Sequence, residues 1–353
     1  MSVIIKKYKL IFLGLALINL VVSILAYFIL PMRFFVDANY ITLTSLHGIE
    51  EIGSYGFTIA FYKNTFLSLC PFPIVAMIQF PILIFILYKF GIPKNFHVIN
   101  TKNLLIYVSF FMLAIFVSMP SKEFITFMFV ATIPFLYRSE FPNQYKIPVS
   151  MLFLVAFGLI FRIYFVIIPI LAMGMYLVSF INFKNKIGTT FFYGILIAIF
   201  ISLTHGLIKG EFMSEMSRES VNNYRIVGEV NSMIISPIKT NVWYGESFGI
   251  IYGFFSVNLP FFEGIKHILS PQIIAFIVWQ LLVFYILCVR YLRCVKNKQE
   301  NKFEMWCILY VFAYFIVQGI FEPDLGTATR HKIGFLPLIY YIFYYDHFRK
   351  SAL

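Results

Sequence analysis

Side chains able to move a proton or grip a phosphate are scarce in this sequence, and they stand where apolar runs end. Lys122 and Glu123 follow Pro120 and Ser121 in a turn between two apolar runs. Arg162, with Tyr164 two residues on, is the one charge in the stretch 147–181. Asp324, Arg330, His331 and Lys332 lie in a Glu-Pro-Asp-Leu-Gly-Thr-Ala-Thr-Arg-His-Lys segment, and Asp37 and Arg225 stand in longer polar segments. An arginine fork pairs with two phosphate oxygens, and a fixed Arg in a low-dielectric cleft stabilises charge developing on a leaving diphosphate. A carboxylate such as Asp37 or Glu123 could accept the proton of an attacking hydroxyl.

Each group also has a plainer reading. Arg162 could mark a helical turn and snorkel to headgroups, and Lys122-Glu123 could be a charge pair at a helix end. Arg330-His331-Lys332 could anchor anionic lipid. Asp37 and Arg225 could be ordinary loop charges. Glu211, Glu215 and Glu219 recur at the four-residue spacing of a solvated helix face. His47, His205 and His267 form no ligand spacing, the lone acidic pair Glu322/Asp324 does not make a metal site, and Cys70, Cys288, Cys294 and Cys307 give neither a ligand pattern nor a disulfide framework. No cofactor and no obligate metal are expected.

The elements that position these residues follow from composition. Of 353 residues 60% are hydrophobic and 12% charged, about half the charged share of a soluble domain, and mean hydropathy is +0.84. With about 20 residues per bilayer crossing, the length allows about ten crossings. The expected fold is therefore all-α, a single transmembrane domain over 1–353 with about ten helices. The apolar runs are 10–30, 66–88, 104–119 and 124–137, then 147–181 split in two at Arg162, then 189–208, 273–289, 303–321 and 333–345. One helix over 147–181 would be roughly 50 Å long against a hydrocarbon core of about 30 Å, hence the split. Pro71, Pro73 and Pro81 should kink the second run or unwind its outer end. The segment 209–272 reads as a large outer loop, with 248–259, too short to cross, re-entrant or interfacial. The first run is too long for a cleavable signal and is expected to stay as an anchor.

The net charge of +12 could suggest nucleic acid, but the Lys and Arg are dispersed between apolar runs, so no nucleic-acid partner is expected. With both termini in the cytoplasm, 17 of 28 Lys and Arg fall inside, against only four of 16 acids, Glu140, Glu300, Glu304 and Asp346. The most basic loop, 290–302, sets the orientation. The candidate chemistry then gathers on the opposite face.

An outer-loop Asp37, a Pro-Ser-Lys-Glu turn at 120–123, an Arg-x-Tyr turn at Arg162 and Tyr164, and Asp-Leu-Gly-x-x-x-Arg-His-Lys at 324–332 resemble the Wzy-type O-antigen polymerases, polytopic glycosyltransferases of GT-C-like architecture. The resemblance implies a place in the bacterial inner membrane and a reaction at its periplasmic face. There, an undecaprenyl-diphosphate-linked chain moves to a sugar hydroxyl of a lipid-linked repeat unit. On that basis Arg162 and Arg330 would hold or stabilise diphosphates, with Lys332 and Arg225 assisting. Asp37 or Glu123 would be the base, and Lys122, Tyr164, Asp324 and His331 would complete the substrate site. Membrane lipids and a chain-length regulator protein would be the other partners. The loop holding Arg218 and Arg225 lacks the repeated Arg-rich motif of such proteins.

Three rivals stay open. A transferase of a single sugar from a polyprenyl phosphate would resemble its kind in an acidic pair in the first outer loop, where Asp37 has no acidic neighbour before Glu50. An O-acyltransferase would carry an early Arg and His, which 10–30 lacks. A flippase or transporter would show internal repeats and midplane charges.

Overall fold

Backbone polar groups in hydrocarbon must be satisfied within the protein, which a helix does inside one segment. The computed structural model describes residues 6–47, 53–224 and 232–350. Among these, every regular element is a helix, and the one β-bridge joins Met233 to Asp324. The α-helices are α1 Lys7–Ile29, α2 Val36–His47, α3 Gly53–Asn64, α4 Phe72–Phe90, α5 Thr101–Phe116, α6 Lys122–Arg138, α7 Asn143–Ile160, α8 Ile167–Val178 and α9 Lys186–Lys209. They continue with α10 Ser220–Asn223, α11 Trp243–Asn258, α12 Phe261–Lys266, α13 Pro271–Lys296, α14 Lys302–Phe321, α15 Leu325–Ile333, α16 Leu336–Phe343 and α17 Tyr345–Lys350. Six of them, α1, α4, α7, α9, α13 and α14, are long and apolar enough to cross a membrane, which makes this a multi-pass membrane protein.

Several boundaries follow from local chemistry. The helix of the second apolar run begins at Phe72, because Phe66 takes a left-handed conformation (φ 59°), a 3-10 turn covers Leu67–Leu69, and Pro71 and Pro73 open α4. The N-terminal end of that run is therefore unwound, as its prolines suggest. The apolar stretch holding Arg162 breaks where expected: α7 ends at Ile160, a 3-10 turn runs Ile163–Val166, and α8 follows. The tenth run is not one helix. Gly334 separates α15 from α16 and Pro337 opens α16, so Leu336–Phe343, about 12 Å long, is too short to cross. The run at 248–259 belongs to a helix starting five residues earlier, at Trp243. Among the described residues, the segment between α1 and α4 holds two 12-residue helices, α2 and α3.

The chain divides into two compact units, one of Met1–Ser150, Ile160–Arg162 and Arg330–Leu353, the other of Met151–Leu159 and Ile163–Thr329. In the first, α1 packs on α4 and α5, α2 on α3, and α16 on α6. In the second, α14 packs against α8, α9, α11 and α13 and is buried over 94% of its apolar window. At its start Glu304 takes Arg290 Nε at 2.6 Å and Arg293 Nη2 at 2.5 Å, so the basic end of α13 is partly neutralised inside the unit.

Candidate functional site

In the first unit, ionisable side chains gather at the starts of α2 and α6, in the turn after α7 and in the last turn of α15. Ser121 caps α6, its Oγ accepting from the Phe124 N–H at 3.2 Å, which places Lys122 and Glu123 in the first turn. Here the helix dipole favours a carboxylate. The turn is braced from below: the Tyr62 hydroxyl accepts from the Ser121 N–H at 3.1 Å and donates to the Gln79 amide oxygen at 2.7 Å. With its amide so oriented, Gln79 donates to the carbonyls of Ser118 and Met119 at 3.0 and 3.1 Å. Asp37 occupies the first turn of α2 and Tyr55 that of α3, and the Tyr55 hydroxyl donates to Asp37 Oδ1 at 3.0 Å.

Onto this frame the other candidates converge. Arg162 Nη2 donates to Glu123 Oε1 at 3.0 Å, and His331 Nε2 lies 3.0 Å from the same oxygen. Arg330 Nη2 lies 2.5 Å from Asp37 Oδ2, while its Nε is 4.0 Å from Glu123 Oε2. Lys122 Nζ sits 3.5 Å from the centroid of the Tyr55 ring, a cation–π contact. Thus Asp37, Lys122, Glu123, Arg162, Arg330 and His331, spread over almost 300 residues of sequence, form one network. Three cations face two carboxylates, so the cluster is positive before His331 is counted.

Exposure separates the two carboxylates. The Glu123 side chain is 0% exposed and Arg162 6%, whereas Asp37 is 19% and Arg330 22%. Burial works to raise the Asp37 carboxyl, but Arg330 and Lys122 outweigh it and hold the group below the usual carboxylate range. Burial and Asp37 raise the Tyr55 phenol, keeping it a donor. Lys122, which precedes the apolar run of α6, is pushed down to about 8 by burial and by Arg162. A cluster with surplus positive charge, a reachable Arg–carboxylate pair and a lysine titrating near neutrality can bind an anion and accept a proton beside it.

Of the remaining candidates, one belongs to the first unit and two to the second. Lys332 is buried in the last turn of α15, the part of that helix that belongs to the first unit. Tyr164 belongs to the second unit, where its ring lies near Phe165 and Phe321 at 5.3 and 5.2 Å. Asp324, also there, starts α15, with Oδ1 accepting from the Thr327 N–H at 2.8 Å and Oδ2 from the Thr327 hydroxyl at 2.7 Å. Arg225 lies outside the described residues. Tyr55, Tyr62 and Gln79 escape the sequence reading. Two of them are among 23 tyrosines with nothing to mark them, but Gln79, the one amide in the run 66–88, carries the signal of a polar group placed in an apolar helix.

The second unit holds its own buried polar set. Arg218, fully buried, donates from Nη1 to the Gly319 carbonyl at 2.8 Å and from both Nη atoms to that of Gly249 at 3.3 Å. Glu246 Oε1 accepts from Ser202 Oγ at 2.5 Å and from the Ser214 N–H at 3.1 Å. Both sets of contacts tie loop and helix backbones together inside that unit. No protein-family model, curated protein or solved structure matches this chain.

Proposed function

We propose that this chain is a glycosyltransferase of the bacterial inner membrane that joins diphosphate-linked oligosaccharide repeat units into a surface polysaccharide. The observation that carries the reading is the cluster of Lys122, Arg162 and Arg330 around Asp37 and Glu123, the two carboxylates standing at helix starts, beside apolar helices. The cations suit the diphosphate of an undecaprenyl-linked donor, and a carboxylate beside them suits the acceptor sugar hydroxyl. In this reading both termini are cytoplasmic, about ten segments enter the membrane, and the cluster lies at the periplasmic face, where the Lys and Arg distribution puts it. A lipid-linked repeat unit is then the acceptor and a chain-length regulator a further partner.

A strain lacking the gene should make lipid A capped with at most one repeat unit. A long-chain ladder on a gel after deletion would overturn the polymerase reading.

A further inference from the structure

We infer that Asp37 and the substrate diphosphate compete for Arg330, so that binding the diphosphate frees Asp37 to act as the base. The inference rests on the proposed function above and deepens it, because it separates the roles of two carboxylates that are equivalent in the sequence. Glu123 is enclosed and already held by Arg162 and His331, each at 3.0 Å. It orders the cluster and is a positioning residue. Asp37 and Arg330 are the more open pair, 19% and 22% exposed, and a ligand arriving at the cluster meets them first.

The pairing itself is easily exchanged. Arg330 grips Asp37 through Nη2 alone, and its Nε, 4.0 Å from Glu123 Oε2, makes no hydrogen bond among the described residues. A guanidinium fork so little used gains more from two diphosphate oxygens than from one carboxylate oxygen. When Arg330 turns to the diphosphate, Asp37 keeps its place through the Tyr55 hydroxyl on Oδ1. The groups facing Asp37 are Arg330 from α15, Lys122 and Glu123 from α6, and Tyr55 from α3. Arg330 is the strongest of those holding the carboxyl down, so its departure, together with the added negative charge of the ligand, lets burial raise Asp37 toward the range a base needs.

In the transfer step the acceptor hydroxyl oxygen forms a bond to the anomeric carbon while its proton passes to Asp37. The bond from that carbon to the diphosphate oxygen breaks, and its electron pair leaves with the prenyl diphosphate held by Arg330. The device delays the base until the leaving group is gripped.

The test uses the full-length protein in lipid nanodiscs with farnesyl diphosphate as probe. Asp37→Asn removes the competitor and should bind the probe about fivefold tighter than the wild type, the factor expected for losing a partly exposed ion-pair partner. In the wild type at about pH 5, binding should add the infrared band of a protonated carboxyl, and in Asp37→Asn it should not. Equal or weaker binding by Asp37→Asn overturns the competition and leaves the proposed function standing. If Asp37→Asn does not fold, the wild-type band decides, and its absence overturns the inference. Failure of the wild type to bind the probe at all overturns the inference and the diphosphate reading together.

Discussion

Arg162 donates to Glu123 at 3.0 Å, joining a turn between two apolar helices to the first turn of α6. Their side chains are 6% and 0% exposed, so both charges need partners inside the protein, and Glu123 shares its carboxylate among Arg162, His331 and Arg330. Removing one partner of a buried pair costs up to about 3–5 kcal/mol, and less here for the loss of Arg162, because His331 and Arg330 stay beside Glu123. Arg162→Ala is therefore expected to lower the melting temperature in detergent and to abolish the polysaccharide ladder. The double variant Arg162→Met with Glu123→Gln should recover most of the stability without recovering the ladder. A double variant with a full ladder would remove both residues from the site.

Lys122 gives the cluster a pH dependence. Burial and Arg162 bring its ammonium down to about 8, so it is cationic at pH 7 and largely neutral at pH 9. Affinity for farnesyl diphosphate should fall as pH rises through about 8, and Lys122→Arg should hold its affinity to higher pH. Stability follows the opposite sign. Against a value of 10.5 for an unburied lysine, the folded state holds fewer protons between about 8 and 10.5, so Lys122 makes stability rise with pH across that window. Isothermal titration and thermal melts at pH 7 and 9 check the two signs separately.

What the sequence made legible were the features that hydrocarbon makes expensive. Arg162 had to mark a turn because a lone charge cannot stay inside a 35-residue apolar stretch, and Pro120-Ser121 announced a helix start through the cap that Ser121 makes. The convergence of Asp37, Glu123, Arg330 and His331 was not legible as geometry, since nothing local ties α2, α6 and α15. The helices α2 and α3 are not legible because their polar and apolar residues follow no clean period, and the tenth run reads as one helix because hydropathy is blind to Gly334 and Pro337. The spacing of Gly245, Gly249 and Gly253, four residues apart, was there to be read as a close-packing face.

That glycine face supports a stability prediction within the second unit. A Cβ on Gly253 would stand 2.0 Å from the Gly319 carbonyl oxygen and 2.3 Å from Arg218 Nη1, so α11 and α14 would have to separate and the guanidinium would lose its acceptors. Gly253→Ala should cost about 3 kcal/mol or more, the cost of overpacking added to that of a buried unsatisfied charge. At Gly264 the nearest atom to a new Cβ is 3.7 Å away, and Gly264→Ala should melt like the wild type. Parallel melts in detergent distinguish them, and equal melting temperatures would refute the packing account.

The brace beneath the cluster is the least obvious determinant of its geometry. Tyr62 is fully buried, and its hydroxyl links the Ser121 N–H to the Gln79 amide oxygen. Tyr62→Phe keeps the ring and deletes the link, leaving the Ser121 donor and one Gln79 acceptor without that partner. A buried polar group so stranded costs about 1–3 kcal/mol, and the turn carrying Lys122 and Glu123 can relieve it only by moving. We expect lower stability together with several-fold weaker farnesyl diphosphate binding, although Tyr62 is well placed to touch Ser121 and not the ligand. The exposed Tyr244 supplies the control, since Tyr244→Phe should change neither quantity. Loss of stability with unchanged affinity would show that the cluster holds its shape without the brace, and that Ser121 capping alone positions Lys122 and Glu123.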